Sequence, residues 1–350
     1  MTVSQKADHG LSLCMIVRDE EHSIETVLST ARAHVEEIIV VDTGSKDRTV
    51  AIAKRYADRL EHFDWIDDFS AARNYSLELA SQPWILVLDA DEVIADDDYS
   101  RLRELTLSAS HDGFYLISRF YQNNSNSEQA LWKPADPKSP FSKNYRGYKE
   151  NPILRLFKNS SSIRYSGRIH EVVDRSIGNE RTGISDIAVH HYHEKTENES
   201  ERHVLRNLSI QEAMISDNTA TEREFLSAGA AHLRTTKRYD KAEEYLFKAL
   251  ELGARVDTAL EALAETYYRN GQLQQAKTIY QQLYESNQGS TAVLNNLANL
   301  RIKDGDLAGG VSLLEALLEK GIEDPAREER VRQNIVAVHK SIKQGAKPIR

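Results

Sequence analysis

Trp84-Ile-Leu-Val-Leu-Asp-Ala-Asp-Glu92 is the stretch whose reading decides how the first half of this chain folds. Its apolar run has the look of a strand buried on both faces, as the strands of parallel sheets are. The run ends in Asp89 and Asp91, two carboxylates one residue apart. At a strand end such oxygens can hold a hard divalent cation, and a cation there can hold a diphosphate. Turns and helix starts use the same residue types, so the weight falls on what surrounds them.

Outward from this stretch, strand and helix patterns alternate. Leu11–Val17 reads as a short buried strand, and residues 21–35 place Ile24, Val27, Leu28, Ala31 and Val35 on one helical face. Glu37–Val41 is a second β-rich run, closed by Asp42-Thr43-Gly44-Ser45, with Ser45 expected to cap a helix carrying Val50, Ile52, Ala53 and Tyr56. A weak strand near Arg59–Phe63 and a helix near Phe69–Ala80 lead to Trp84–Leu88. Strands separated by single helices predict a mostly parallel sheet with right-handed crossovers, a Rossmann-like α/β fold. Ligands of such sheets bind beyond the strand carboxyl ends. Three acidic groups stand there: Asp19–Glu21, Asp42, and Asp89 with Asp91.

From Gly113 the pattern changes. Gly113–Tyr121 looks like a strand, and a polar stretch follows with Pro134, Pro137, Pro140 and the rings of Trp132, Phe141, Tyr145 and Tyr148. A loop of about thirty residues inside a domain is unusual and often serves as a lid or binding loop, and residues 122–150 are expected to be one. Ile153–Phe157, Ile163–Tyr165 and Ile187–Tyr192 are expected as further short strands. Beyond residue 220 strand signals vanish and a period appears. Ala242, Ala276 and Gly310 are 34 residues apart, as are Ala230, Ala264 and Ala298, and Lys237, Gly271 and Gly305 mark the turns between. That is the tetratricopeptide period, two antiparallel helices per copy. The expected layout is an α/β domain over 1–195, a linker helix over 196–222, three repeats over 223–325, and a capping helix and tail over 326–350. Tyr239, Leu246, Ala249, Tyr267, Tyr280 and Leu283 are expected as repeat core.

Bulk composition agrees with two domains. Charged residues make up 28% and hydrophobic residues 40% of the 350, an ordinary soluble profile. A net charge of −9 argues against nonspecific binding to nucleic acid. The basic residues Lys340, Lys343, Lys347 and Arg350 read as a solvated terminus. Cys14 is the one cysteine and reads as a small core residue, so no disulfide framework is possible. No apolar run approaches a membrane span, and the polar first ten residues do not read as a secretory leader. The cytoplasm is the expected compartment.

Taken in order, Leu13–Glu21, Ile38–Thr49 (Ile-Ile-Val-Val-Asp-Thr-Gly-Ser-Lys-Asp-Arg-Thr), Ala71-Ala-Arg-Asn74 and Leu88-Asp-Ala-Asp-Glu92 resemble the family 2 glycosyltransferases of GT-A fold. Leu154–Asn159, Gly167-Arg-Ile-His-Glu171 and His191-Tyr192 continue the resemblance, and with the repeats they look like one bacterial branch of that family. The resemblance implies a nucleotide-activated sugar donor, usually a uridine diphosphate (UDP) sugar, and inversion at the anomeric carbon. Residue by residue, it implies that Asp42 meets the nucleobase, Asp89 lies near the ribose, Asp91 is the metal ligand and Arg73 is a basic group near the nucleotide. A carboxylate at 42 can accept the imide hydrogen of uracil, and the arginine fork can hold phosphate or base. Glu20 matches the family pair after the first strand, whereas Asp19 stands where asparagine is commoner.

The implied chemistry is metal-assisted group transfer. Mn²⁺ or Mg²⁺ on Asp91 would offset charge on the leaving diphosphate, with His191 as a possible further ligand by analogy with other GT-A enzymes. An inverting displacement needs a general base; Glu171 is the first candidate and His170 the second. A nucleotidyltransferase would also present paired acids, but it needs a glycine-rich or basic loop after strand one; here that loop is Arg18-Asp-Glu-Glu21. A non-catalytic repeat scaffold with a degenerate sugar-nucleotide domain is the other alternative. The acceptor class implied by related layouts is a protein or peptide, or a lipopolysaccharide-type surface glycan. The repeats are also a candidate surface for homodimerisation.

Overall fold

In the computed structural model, which describes residues 9–108, 110–123, 132–192, 197–322 and 325–344, period-two alternation builds the sheet. Leu11, Leu13, Met15 and Val17 of β1 (Leu11–Val17) enter one core, and Cys14 enters the other. The same split holds in β2 (Glu37–Asp42), with Ile38 and Val40 on one face and Ile39 and Val41 on the opposite one. Both faces are covered, so these strands read as unbroken apolar runs.

β1, β2, β3 (Arg59–His62) and β4 (Trp84–Val87) pair in parallel, in the order β3-β2-β1-β4. The remaining strands are β5 (Glu92–Ile94), β6 (Gly113–Gln122), β7 (Trp132–Pro134), β8 (Gly147–Lys158) and β9 (Thr182–Tyr192). The sheet goes on as β8-β6-β9-β5, with β7 on β8. Here the pairing is largely antiparallel: β8 against β4, β6 and β7, and β5 against β9, while β6 and β9 run parallel. The sheet is therefore mixed, parallel where the four leading strands carry the acidic ends. Helices α1 (Ile24–Arg32), α2 (Thr49–Ala53), α3 (Phe69–Glu78) and α4 (Asp96–Thr106) complete this unit. It is the expected α/β layer, with a sheet that is mixed rather than mostly parallel.

Three local expectations are corrected. Ser45 does not cap α2: its amide is turned toward the Asp42 carboxylate and its hydroxyl accepts the Asp19 amide at 2.9 Å, while Asp47 accepts the Thr49 amide at 2.9 Å. Ile163–Tyr165 is not a strand. The Asn74 side-chain amide takes the place of a neighbouring strand, accepting from Tyr165 N at 2.8 Å and donating to Tyr165 O at 2.9 Å. The stretch read as a long loop is in good part hairpin, because β8 starts at Gly147 opposite Gln122. Its described rings are half-buried and largely engaged: Phe141 stacks on His190 at 4.0 Å, and Tyr121 contacts Tyr145 and Tyr148. In addition, Asp96–Thr106 is a helix with three aspartates in its first turn, a dipole-matched start.

The described residues divide into two compact units near residue 194. The second is all helix: α5 (Glu197–Ser216), α6 (Glu222–Ala231), α7 (Tyr239–Glu251), α8 (Val256–Arg269), α9 (Leu273–Glu285), α10 (Thr291–Lys303), α11 (Leu307–Lys320) and α12 (Pro325–Lys343). Alternate helices from α6 to α11 begin 34 or 35 residues apart. Ala242, Ala276, Ala264 and Ala298 are fully buried where helices cross, and a Cβ on Gly310 would meet Ile302 and the Ala298 carbonyl. Leu246, Ala249, Tyr267, Tyr280 and Leu283 are buried as expected, with Tyr239 packed at the edge. Lys347 and Arg350, part of the expected basic tail, lie outside the described residues. Among the described residues no helix is long and apolar enough to cross a membrane.

Candidate active site

The parallel register brings the acidic ends to one edge of the sheet: β1 runs into Asp19 and Glu20, β2 ends at Asp42, and β4 runs into Asp89. Asp42 is buried, with its carboxylate shaping the loop that follows. Its oxygens accept the amides of Gly44 and Ser45 at 3.1 Å, and His62, its register neighbour on β3, lies 3.5 Å away. Glu20 is tied locally: its amide donates to Thr49 Oγ1 at 2.7 Å and its side chain accepts from Ser23 Oγ at 3.0 Å.

Beyond β4 lies a buried ionic cluster. Arg73, on α3, is 8% exposed, so it is not a surface arginine. Its Nη2 donates to Asp89 Oδ1 and its Nε to Glu171 Oε1, both at 2.7 Å, and its guanidinium lies 5.5 Å from the Tyr165 ring centre. Glu171 reaches this point from a tight turn in which Ser166 and Val172 pair, and Gly167 and His170 take left-handed backbone (φ 103° and 55°). His170 stands in the turn that presents Glu171 and bears there the left-handed cost of a Cβ, about 1–2 kcal/mol. The cation paired with Glu171 is thus Arg73, 98 residues before it in the chain.

Two residues of the cluster had been given no role. Arg155, in the apolar run of β8, donates through Nη2 to Asp89 Oδ2 at 3.0 Å and Glu92 Oε1 at 2.5 Å. Glu92 is wholly buried and its Oε2 accepts the Asp89 amide at 3.0 Å. A signal for both was present: a charge inside an otherwise apolar strand needs a buried partner. The β5–β9 ladder sets Glu92 opposite His191, whose Nε2 is 3.4 Å from Asp91 Oδ2 and whose Nδ1 is 3.7 Å from Glu92 Oε1. Thus Arg73, Asp89, Glu171, Asp91 and His191 are brought together, while Asp42 holds the amides of its own loop and lies beside His62, and the Glu20 amide meets Thr49 Oγ1.

The electrostatics follow from burial against pairing. Burial pushes the Asp89 carboxyl upward, but the Arg73 and Arg155 charges outweigh it and hold Asp89 well below the carboxylate range. Burial raises Glu92, against the pull of Arg155. Burial lowers His191, yet its hydrogen bond and charge interaction with Asp91 win and its pKa ends above the ordinary value. Burial pushes the Tyr165 phenol up to about 12.

A divalent cation fits this charge set. Four carboxylates (Asp89, Asp91, Glu92, Glu171) face two guanidiniums (Arg73, Arg155), leaving an excess of negative charge. Asp89 is engaged by both arginines, whereas Asp91 lies 3.4 Å from the His191 ring. Among the described residues no three His, Cys, Asp or Glu side chains form a closed metal cage. Arg73 also keeps Nη1 buried without a hydrogen-bond partner among the described residues, a donor suited to an anion.

Comparison with known proteins adds to the geometry. Residues 12–166 match the profile of Glycosyl transferase family 2. A TPR repeat-containing protein of Synechococcus elongatus is 38% identical over 167 residues, 48% of this chain and 36% of that protein. The lipopolysaccharide core biosynthesis glycosyltransferase LpsC of Rhizobium meliloti is 32% identical over 163 residues, 42% of this chain and 52% of that protein. Other curated relatives also carry glycosyltransferase names. The chain spans about a third to a half of the length of the curated relatives it matches. Among solved structures, the Staphylococcus aureus TarS fragment 1–349 in complex with UDP-GlcNAc superposes with a TM-score of 0.43 at 15% identity, covering 79% of this chain and 92% of that one.

Proposed function

We propose, from the premise that residues 12–166 form a family 2 glycosyltransferase domain, that the protein transfers a sugar from a UDP-sugar donor with inversion. The observation that carries this reading is the buried cluster beyond β4, in which Arg73 joins Asp89 to Glu171 while Asp91 faces His191. In this reading Asp42, fixed by its loop amides, accepts the imide hydrogen of uracil. Asp89 is held as an anion toward the ribose, and Arg73 offers its remaining N–H to the diphosphate. A divalent cation, Mn²⁺ or Mg²⁺, held by Asp91 and His191, supplies Lewis-acid stabilisation of the leaving diphosphate. Glu171, held through one oxygen by Arg73, takes the acceptor proton on the other. His170 serves chiefly to shape the turn that aims Glu171.

The acceptor we propose is a polypeptide docked on the repeats or a surface glycan, the latter in line with the lipopolysaccharide relative. Homodimerisation through the repeats is the competing use of that surface. The cytoplasm remains the proposed compartment, where a lone buried thiol stays reduced.

Thermal shift with a panel of nucleotides and sugar nucleotides, with and without Mn²⁺, tests the donor side. A metal-dependent rise with one UDP-sugar, abolished by Asp91→Ala, is the expected outcome. No rise with any of them favours the scaffold reading instead.

A further inference from the structure

Arg155 carries a full charge into the middle of a sheet, and the groups it touches bracket the turn that bears Asp91. One nitrogen, Nη2, contacts Asp89 at the start of the turn and Glu92 at its end, at 3.0 and 2.5 Å. Glu92 closes the same turn twice more, accepting the Asp89 amide on Oε2 at 3.0 Å and donating its own amide to Asp89 O at 3.0 Å. The His191 ring then lies between Glu92 and Asp91, 3.7 Å from one carboxylate and 3.4 Å from the other. The ties therefore converge on the four residues Asp89-Ala-Asp-Glu92 and on the histidine opposite them.

We propose that Arg155 and Glu92 are positioning residues, a buried pair that fixes the shape of the Asp89–Glu92 turn and thereby the placing of Asp91 and His191. The inference rests on the transferase reading above. Its physical basis is that neither charge can exist alone at this depth: Arg155 is 6% exposed and Glu92 not at all. The arrangement satisfying both is the one in which the turn is closed. Supporting groups of this kind orient ligand side chains, and their loss typically lowers affinity about 10–100-fold.

The test is UDP binding by titration calorimetry, with and without Mn²⁺, at a temperature where near-ultraviolet circular dichroism shows each variant folded. The double variant Arg155→Met/Glu92→Met removes both charges together and so leaves neither stranded. The single variant Arg155→Lys keeps a cation that can contact both carboxylates. The expected result is a fall in Mn²⁺-dependent UDP affinity of roughly 10-fold or more in the double variant, with most of it recovered in Arg155→Lys. A folded double variant binding UDP within about two-fold of wild type overturns the proposal, as does an Arg155→Lys protein no better than the double. If wild type itself binds no UDP, the transferase reading falls and this proposal falls with it. That outcome is distinct from a wild type that binds and variants that bind equally well.

Discussion

Glu171 shows how a single contact shapes an expectation about chemistry. Its Oε1 is taken by Arg73, while among the described residues Oε2 has no such tie. Glu171→Gln keeps an acceptor oxygen for Arg73 and removes the basic one. Turnover should drop about 10²–10⁴-fold with UDP affinity little changed. Unaltered turnover in a donor-consumption assay would move the base elsewhere. His190, next to the proposed ligand, makes a different point. It is 4% exposed and accepts the Tyr121 hydroxyl at 2.9 Å when Nδ1 is unprotonated. Burial first, and the Arg119 charge second, lower its pKa from 6.5 to about 4. Between those values the unfolded chain binds a proton that the folded one refuses, so this contribution is complete above pH 6.5 and is lost as the pH falls toward 4. The full loss is on the order of 3 kcal/mol. A His190→Phe variant should therefore show a flatter fall of melting temperature on acidification than wild type; parallel curves would rule the histidine out as the cause.

At the scale of elements, the repeat turns carry a conformational requirement. Lys237, Gly271 and Gly305 occupy matching positions and all have positive φ (56°, 79° and 93°). Glycine meets that requirement without strain, whereas lysine bears the cost of a Cβ in the left-handed region, about 1–2 kcal/mol. Lys237→Gly should stabilise the protein by about 0.5–1 kcal/mol, after glycine's larger unfolded-state entropy is set against the relief. Gly271→Ala should cost about 1 kcal/mol by the same reasoning, although nothing crowds its Cβ position. Urea denaturation of the two variants checks both signs, and two changes of like sign would contradict the turn assignment. The period was legible because small residues and turn residues recur at fixed spacing. The one non-glycine copy was legible only as a gap in that pattern until its φ was known.

For the whole molecule, each unit has its own apolar core: Leu11, Leu28, Val40 and Leu86 among others in the first, Leu246, Ala276, Leu297 and Leu314 in the second. All three tryptophans, Trp65, Trp84 and Trp132, belong to the sheet-containing unit. Tryptophan fluorescence thus reports that unit, while far-ultraviolet dichroism is weighted toward the helical repeats. UDP with Mn²⁺ at 100 times its dissociation constant should stabilise the unit that carries the site by about 2.7 kcal/mol. For a unit of this size that is a rise of roughly 5–10 °C in the fluorescence transition. A ligand shift seen in dichroism alone would place the binding surface on the repeats.

The sequence by itself determined the two architectures, because period two, period 3.6 and period 34 are properties of order along the chain. It also determined that acids stand at the ends of parallel strands. Only the tertiary structure decided which of those acids meet. Asp89 is clamped by Arg73 from a helix and Arg155 from a strand 66 residues away. His191 reaches Asp91 solely through the β5–β9 register. Asn74 stands in for the strand that local pattern predicts at Ile163–Tyr165. Ion pairs and ladder registers join residues distant in sequence, and their choice is made by which charges must be neutralised once the core is closed. No local pattern carries that information.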